Sequence, residues 1–485
     1  FAHIECKEEG RPPYHPSILL KLYLYGYHYG IRTTRKLERE AQTNLEAIWL
    51  LSGLRPKYKT IADFRKDHSK AFRELFRRFV SLLKEWDLID GETIAIDSFK
   101  IRASNSLKNN FNEKKLKRHL EHIDSQIQQY QDQLDKNDLE EDKKELGEKL
   151  AERHEKKAKY QKIKADLESS GEEQISLTDP DSKSVILHKN IINVGYNKQA
   201  SSDSKHKLLV EFDTGDVNSL SRFGGNTHAL APIAIQTKEL LKVGEMKVLA
   251  DKGYHTGEEL EKCEKNNITT YVSPKAPSTK DEGLYPVTSF LYDKENDYYV
   301  CPQGHKMITN GTWHTHSDNR RNKKGAYRFR RYNTPACKTC INRHLCTKGK
   351  TNGRYIDRSE PACRQGRYAE VIEDNAQRVE ANPEYYRQRQ QITEHPFGTL
   401  KRQRGFTHAL VRKKDNVLGE VGLMFIGYNP DMKSGQALGR CISILGMEKL
   451  IKYLKDRCLR LLNHRKWLIL SFFKPEKIYA LKIVC

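Results

Sequence analysis

Apolar residues in the first 90 positions recur at helical spacing, and short polar breaks divide them into segments. The run from Ser17 to Tyr27 is apolar on most faces, which predicts a buried helix that starts at Pro16. Further helices are predicted from Thr33 or Thr34, from Thr60, and over Phe72 to Trp86. Residues 1–90 are therefore interpreted as an all-α N-terminal domain.

Two long and highly charged helices are predicted between residues 111 and 170. The first carries apolar residues at alternating steps of four and three, as in a coiled-coil seam: Leu116, Leu120, Ile123, Ile127, Tyr130 and Leu134. Asp135 to Asp138 interrupts this pattern, and a second helix follows from about Leu139. The two helices predict an antiparallel hairpin that is more typical of a structural spacer than of a catalytic element. Dimerisation through it stays open.

Two short apolar runs outside the hairpin each end in an aspartate. Thr93 to Ile96 predicts a buried strand that ends at Asp97, and Met246 to Ala250 predicts one that ends at Asp251. A carboxylate at the end of a buried strand either needs a cation as partner or caps the next turn. A third acid, Glu394, lies in a helix-forming stretch that Pro396 and Gly398 are expected to break.

The segments around these two strands predict a mixed α/β layer over residues 91–275. Residues 194–200 and 207–212 read as a strand pair, and residues 230–241 and 257–265 read as helices. The hairpin would interrupt this layer after its first strand. Residues 376–455 are again expected to be helical, and residues 456–485 are left unassigned.

The charge of the chain points to a polyanionic partner. Its formal net charge is +22 and its sequence pI is about 9.3, which favours DNA, although a membrane surface or a ribosome would also attract it. No apolar run approaches the length of a membrane span, so no membrane partner is expected. Ten cysteines without a visible signal peptide favour reduced thiols in a cytosol.

Basic residues of the N-terminal helices allow two interpretations. The helices are either a packing domain or a DNA-binding module that presents basic side chains to phosphates. The candidates for such contacts are Arg32, Arg35, Lys36 and Arg65.

Cysteines are concentrated in residues 276–375, which are interpreted as a small inserted module. Cys301, Cys337, Cys340 and Cys346 could bind one Zn²⁺ through four thiolates, with His305 as a possible substitute ligand. Four reduced thiols in a small β-rich module are an equally good interpretation.

Basic and aromatic residues alternate in the same module, at positions 320–332. A strand there would place Arg328 and Arg330 on one face and Tyr327, Phe329 and Arg331 on the other. This pattern suits phosphate contact with base stacking, and it equally suits an ordinary two-sided strand.

Six short motifs resemble those of the DDE transposases of bacterial insertion sequences. Three contain the acids: Ile96–Ser98, Ala250–Tyr254 and Glu394–Lys401. The others are Gly10–Pro16, Leu24–Tyr27 and Ser176–Asp181, so the resemblance runs from about residue 10 to about residue 455. It implies a ribonuclease-H-like mixed sheet that is interrupted by the helical hairpin and by the cysteine-containing insertion.

The resemblance also implies a site and a reaction. Asp97, Asp251 and Glu394 would be the catalytic acids and would bind two Mg²⁺ or Mn²⁺ ions. The protein would cleave DNA at the ends of a mobile element and join those ends to target DNA, as a homodimer assembled on DNA in the bacterial cytoplasm and nucleoid. A metal-dependent nuclease that does not join strands and an inactive DNA-binding descendant are the alternatives.

The resemblance further implies basic and aromatic residues around the glutamate. Lys401 follows Glu394 by seven residues, as in the family. Relatives often carry a tyrosine seven and an arginine four positions before the glutamate, where this chain has Arg387 and Gln390. Tyr386 and Arg389 lie one residue off these positions. The expected DNA contacts are Tyr386, Arg387, Arg389, Lys401, Lys100, Arg102, Lys252, Arg328 and Arg330.

Overall fold

The computed structural model describes residues 14–136, 140–188, 191–213, 228–274, 283–316, 327–349, 353–360 and 367–429. Expectations for residues 10–13, for the basic positions 320–326 and for the chain after residue 429 lie outside these ranges. No helix within the described ranges is long and apolar enough to span a membrane.

The N-terminal region is helical, as predicted. It contains α1 (Pro16–His28), α2 (Thr34–Thr43), α3 (Leu45–Leu50), α4 (Tyr58–Asp67) and α5 (Ser69–Glu85). Helix α3 was not predicted, because it is only six residues long and has no apolar period of its own. The Asn44 side chain starts it by accepting hydrogen bonds from the backbone N–H groups of Glu46 and Ala47.

The central sheet is mixed, as expected. Its six strands are β1 (Thr93–Arg102), β4 (Lys183–His188), β5 (Ile191–Asp203), β6 (Leu209–Asp213), β7 (Met246–Ala250) and β8 (Ile268–Val272). The order is β4-β5-β1-β7-β8, and β6 also pairs with β5. Strand β1 is antiparallel to β5 and parallel to β7, and β7 is parallel to β8. Helices α8 (Leu230–Leu241) and α9 (Gly257–Lys265) connect the later strands.

Strand β1 is longer than predicted. It continues to Arg102, so Asp97 lies in the middle of the strand and not at its end. The alternation that defines the strand persists beyond the aspartate, because Phe99 and Ile101 are both buried. The interpretation of Asp97 as a strand-end residue was therefore wrong.

The predicted helical hairpin is present between β1 and β5. It consists of α6 (Glu113–Leu134) and α7 (Glu140–Ser170), and the short strands β2 (Asn110–Asn112) and β3 (Gln174–Ser176) pair at its base. Leu116 packs with Ile163 and Leu167, and Lys157 bridges to Asp124, so the helices are antiparallel. Three residues of the α6 seam, Leu116, Ile123 and Ile127, are thus buried within the chain.

Residues 283–360 contain a second sheet, in the region expected to be a small β-rich module. Its strands are β9 (Leu291–Asp293), β10 (Tyr298–Val300), β11 (Lys306–His316), β12 (Tyr327–Asn333) and β13 (Ile356–Ser359). Neighbouring strands are antiparallel, in the order β13-β12-β11-β10-β9.

Within residues 367–429, three helices follow this module: α10 (Ala369–Ala381), α11 (Pro383–Gly398) and α12 (Lys414–Tyr428). Helix α11 lies across the central sheet, where Ile392 packs against Ala95 of β1 and Leu249 of β7. The expected break at Pro396 is absent, because the helix continues to Gly398 and passes into a π-helical turn over Thr399–Gln403. Proline removes a single N–H donor, and the wider turn accommodates that loss.

A buried carboxylate joins the N-terminal helices to α12. The Glu420 side chain is fully buried, and it lies 3.8 Å from Arg32 and 4.0 Å from Arg65. It also accepts hydrogen bonds from the Tyr27 hydroxyl (3.2 Å) and from the Leu410 backbone N–H (2.8 Å). Arg32 and Arg65 therefore neutralise an internal charge, which agrees with the packing interpretation for these two residues, whereas Arg35 and Lys36 are exposed.

Removing the Glu420 charge should destabilise the protein. A Glu420→Gln substitution keeps the shape of the side chain but leaves two buried guanidinium groups without their counter-ion, which costs about 3–5 kcal/mol. The control is Glu74→Gln, which removes an exposed ion pair with Arg78 on α5 and should change stability by less than about 0.5 kcal/mol. Urea denaturation measures the stability of both variants. Equal midpoints would show that Glu420 is not the required counter-ion of the two buried arginines.

Strand β5 carries a buried lysine. The Lys198 side chain is 1% exposed, and its ammonium lies 4.8 Å from the centre of the Tyr196 ring. Burial and, to a smaller extent, the nearby Lys414 lower the pKa of Lys198 to about 7, against the opposing effect of Asp213 and Asp181. The unfolded chain keeps this proton up to the ordinary pKa of 10.5, so between the two values the unfolded state binds more protons and stability rises with pH.

A Lys198→Met variant should reveal this dependence. Methionine has no proton to lose, so the melting temperature of the variant minus that of the wild type should decrease from about pH 7 to about pH 9. The corresponding free-energy slope approaches about 1.4 kcal/mol per pH unit. Thermal melts of both proteins across this range measure it, and a constant difference would show that Lys198 keeps its proton in the fold.

Candidate active site

The register of two strands places two aspartates side by side. In the parallel pair, Ile96 of β1 lies opposite Ala250 of β7, so the next residues, Asp97 and Asp251, are neighbours. Alternation puts them on the same face as Ala95 and Leu249, which helix α11 covers. Two carboxylates that were predicted separately from the sequence therefore meet under one helix.

Asp97 is held in a partly buried and polar setting. Its side chain is 27% exposed, and one of its oxygens accepts a hydrogen bond from the Ser98 backbone N–H at 2.6 Å. Burial raises the pKa of Asp97, and the neighbouring Asp251 carboxylate raises it further. Arg389, 3.8 Å away, and Lys100 oppose this shift. Two adjacent like charges are only partly compensated by these cations.

Asp251 ends β7 and begins a tight turn. One of its oxygens accepts a hydrogen bond from the Gly253 backbone N–H at 2.8 Å, which caps a single 3₁₀ turn over Lys252–Tyr254. The Tyr254 side chain is buried beneath the two aspartates and donates its hydroxyl proton to Gln199. Its burial and both carboxylates raise the pKa of Tyr254 well above its usual range. Capping uses one oxygen of Asp251, and it leaves the other for a ligand.

Glu394 lies on α11 but does not contact the two aspartates. Its side chain is exposed, and one of its oxygens accepts a hydrogen bond from the Gln390 side chain at 2.9 Å. Across the ranges that the structure covers, no three His, Cys, Asp or Glu side chains already form a set that could hold a metal ion. The structure thus brings together two of the three predicted acids and places the third on the neighbouring helix.

Tyr386 and Arg389 face the aspartates, whereas Arg387 does not. The Tyr386 hydroxyl donates to the carbonyl oxygen of Ala250 at 3.2 Å, and Arg389 approaches Asp97. Arg387 is 73% exposed and pairs with Glu384 on the outer side of the helix. The inner face of α11 includes Ile392 and Phe397, and helical spacing puts positions 386 and 389 on that face. Counting seven residues back from Glu394 therefore selects Arg387 on the outer side of the helix, whereas the neighbouring Tyr386 is the residue that contacts β7.

Lys401 reaches Asp97 from the π-helical turn. Its ammonium lies 5.0 Å from the centre of the Phe99 ring; burial lowers its pKa, and the nearby Asp97 raises it. In this turn the Arg404 N–H bonds to the Thr399 carbonyl, five residues back. The Lys401 ammonium therefore lies over a side chain of β1, although α-helical spacing alone would place Lys401 on the same flank as Glu394. No signal in the sequence predicted this position.

The Ser176–Asp181 motif supports the elements around the site. Asp179 is fully buried, accepts the Tyr196 hydroxyl proton at 2.6 Å and accepts the Lys413 backbone N–H at 3.1 Å. Asp181 accepts the Lys414 backbone N–H at 2.7 Å. The two aspartates therefore satisfy N–H groups at the start of α12, and their role here is structural.

The remaining basic candidates lie at varying distances from the aspartates. Lys252 and Arg102 are exposed, and Lys100 is close enough to affect the pKa of Asp97. Arg328 and Arg330 lie in the second sheet, 5.1 and 4.6 Å from the centre of the Trp313 ring. Each of these two arginines also has an acidic partner, Glu360 and Asp297 respectively.

The donor chemistry at Asp97 and Asp251 suits a divalent cation. Carboxylate oxygens are the ligands that Mg²⁺ prefers, and a cation between them would offset the burial and the repulsion from Asp251 that together raise the pKa of Asp97. The arrangement can thus bind a hard cation beside Arg389 and Lys401, which suit a phosphate.

Two family models match the chain. The first, described as "Transposase domain (DUF772)", matches residues 1–67, and the second, described as "Transposase DDE domain", matches residues 300–431. No curated protein and no solved structure gives a significant match. The second match contains Glu394, α11 and the π-helical turn with Lys401. Of the three acids only Glu394 lies within a matched segment, and the two matches together support an insertion-sequence DDE transposase.

Proposed function

We propose that this protein cleaves DNA at the ends of an insertion sequence and joins those ends to target DNA in a metal-dependent reaction. The observation that supports this most is the register of β1 and β7, which sets Asp97 beside Asp251 under the helix of Glu394. The excess of basic residues in the chain suits a DNA substrate.

In this proposal, Asp97, Asp251 and Glu394 would hold two Mg²⁺ or Mn²⁺ ions. Bound ions of this kind activate the attacking oxygen and stabilise the leaving one. Arg389 and Lys401 bind the phosphate at the reaction centre, and Tyr386 keeps α11 in place on the end of β7. In the first step water attacks a phosphodiester and releases a 3′-hydroxyl. In the second step that hydroxyl attacks the target strand, so one phosphodiester bond replaces another.

The architecture supports the proposed domains. The order β6-β5-β1-β7-β8, with antiparallel strands on one side of β1 and parallel strands on the other, suits a ribonuclease-H-like core built from residues 91–275 and 376–455. The hairpin at 111–170 and the module at 276–375 would be insertions into that core. Residues 1–90 would bind DNA through exposed residues such as Arg35 and Lys36.

Assembly on DNA is part of the proposal. Two element ends and two target strands need two active sites, so we infer a homodimer on DNA, in the cytoplasm and at the nucleoid of a bacterium. The hairpin is a weak candidate for the dimer contact, since Leu116, Ile123 and Ile127 of α6 are already buried within the chain.

Loss of either aspartate or of Glu394 should abolish both chemical steps. Asp97→Asn, Asp251→Asn and Glu394→Gln should each lower nicking and joining by roughly 100-fold or more, because each removes a charged metal ligand. The substrate is DNA from the flanks of the gene, with Mg²⁺ or Mn²⁺ present. The control is Glu384→Gln, an exposed acid on the outer side of the same helix, which should retain wild-type rates.

The products separate the candidate functions. Products with a 3′-hydroxyl that are joined to target DNA, and that are lost in the three variants but not in the control, support the transposase. Cleavage without joining indicates a nuclease of the same fold. DNA binding without cleavage indicates an inactive descendant, and activity that survives in Glu394→Gln would remove Glu394 from the site.

Substitution of Arg389 and of Arg387, two arginines on α11, should lower the cleavage rate to different extents. Arg389→Ala should lower the cleavage rate by about 10- to 100-fold, since Arg389 contacts a metal-binding carboxylate. Arg387→Ala removes an equal charge from the outer side of the helix and should leave the rate nearly unchanged. Single-turnover cleavage at fixed salt measures both rates. A larger loss in Arg387→Ala would mean that α11 presents its other side to the DNA.

A further inference from the structure

Four cysteines are concentrated in the second sheet and its connections. All five cysteines within the described ranges are free thiols, and four of them, Cys301, Cys337, Cys340 and Cys346, belong to this module. The fifth, Cys263, is buried in α9. The proposed transposase chemistry gives the four module cysteines no role.

The sheet topology brings the two cysteine-bearing loops to one end of the module. Cys301 follows β10 directly, in the turn that leads into β11. At the start of β11, Ile308 pairs with Asn333, the last residue of β12, so the segment with Cys337 and Cys340 leaves the sheet at this same end. Residues 36 positions apart in the chain are thereby brought to one edge.

Tight turns hold these cysteines. The Cys301 carbonyl accepts a hydrogen bond from the Gly304 N–H at 2.8 Å, and Gly304 has a φ of +79° that favours glycine. The Cys340 carbonyl accepts the Arg343 N–H at 3.2 Å in a similar turn. A Cβ atom at Gly353 would lie 2.5 Å from the Cys337 Cβ, so this glycine lets the chain pass close to that cysteine.

The four thiols influence one another. Cys346 is part of the buried cluster of the module, and Cys301 packs against that cluster. Burial raises the pKa of the Cys346 thiol, and Cys337, Cys340 and Cys301 raise it further. Cys301 and Cys346 therefore pack against one buried cluster although they are 45 residues apart in the chain.

The buried core of this module is too small to explain by itself why the module is folded. Among its described residues, the buried cluster contains six members, Phe290, Tyr299, Met307, Tyr332, Cys346 and Ile356, with Tyr285, Tyr292 and Cys301 packed against them. The segment of β12 to β13 also includes long connections with short 3₁₀ turns over Pro335–Lys338 and Ile341–Leu345. Small modules with such cores commonly need a metal ion or a disulfide to stabilise them.

We propose that Cys301, Cys337, Cys340 and Cys346 bind one structural Zn²⁺ ion as a tetrahedral set of thiolates. Binding forms four sulfur–zinc bonds and releases the four thiol protons to solvent. Since no three such side chains in the described ranges form a ready metal set, the ion has to draw the thiols together by side-chain rotation. This proposal does not depend on the proposed function, because none of the four residues touches Asp97, Asp251 or Glu394.

Metal analysis of the full-length protein, purified under reducing conditions, tests the proposal. The wild type should contain about one zinc per chain, whereas Cys337→Ser and Cys340→Ser should each contain several-fold less. Cys263→Ala, which changes a cysteine outside the module, should keep the wild-type content. Cleavage and joining by the wild type are assayed separately, so failure of the transposase proposal would not affect this result.

Cobalt substitution provides a second measurement in case the serine variants do not fold. Zinc-free wild type titrated with Co²⁺ should show the thiolate-to-metal charge-transfer band and the intense visible absorption of tetrahedral cobalt, and Zn²⁺ should bleach both. A wild type that contains no zinc and gives no such spectrum would overturn the proposal. Zinc content that persists in both serine variants would also overturn it, since two of the four ligands would then be dispensable.

Discussion

The parallel pairing of β1 with β7 is the constraint on which the candidate site depends. It aligns Ile96 with Ala250, and the next residue of each strand is an aspartate. Because side chains alternate across a sheet, a shift of one residue in this register would turn one carboxylate to the opposite face and separate the pair. The same alternation supplies Ala95 and Leu249 as the surface on which α11 lies, so the helix that carries Glu394 is positioned by the strands that carry the aspartates.

Glu420 connects the N-terminal helices to this arrangement. Its partners Arg32 and Arg65 come from the N-terminal region, and Arg32 also donates to the His408 carbonyl at 2.8 Å. The backbone of His408 in turn forms an isolated parallel β-bridge with Arg102 at the end of β1. Buried charges are costly unless they are fully paired. If the N-terminal helices separated from α12, then Arg32, Arg65 and Glu420 would each lose a charged partner. These contacts therefore join the N-terminal helices to α12 and to the end of β1.

Much of this fold could be predicted from the sequence, because many of its elements have a clear apolar period. The helices at 230–241 and 257–265 and the strand at 246–250 have the predicted bounds, and the coiled-coil pattern correctly indicated a hairpin. What the sequence did not show depends on tertiary contact. The burial of Arg32 and Arg65 needs Glu420, which lies more than 350 residues away in the chain. The orientation of Arg389 and Lys401 depends on the phase of α11 and on the π-helical turn after Pro396. The contact of Glu394 with the aspartates remains a prediction.

The position of β1 in the chain has a consequence for synthesis on the ribosome. Strand β1 is complete about 90 residues before β5 begins and roughly 150 residues before β7 is available, and both are its partners. At about 5–20 residues per second, an apolar strand with two open edges would wait roughly 10–30 s for its second neighbour. During this interval the helical hairpin can form from local contacts alone, since α6 and α7 are adjacent in sequence. The nascent chain can therefore carry a folded, highly charged segment shortly after this unpaired apolar strand.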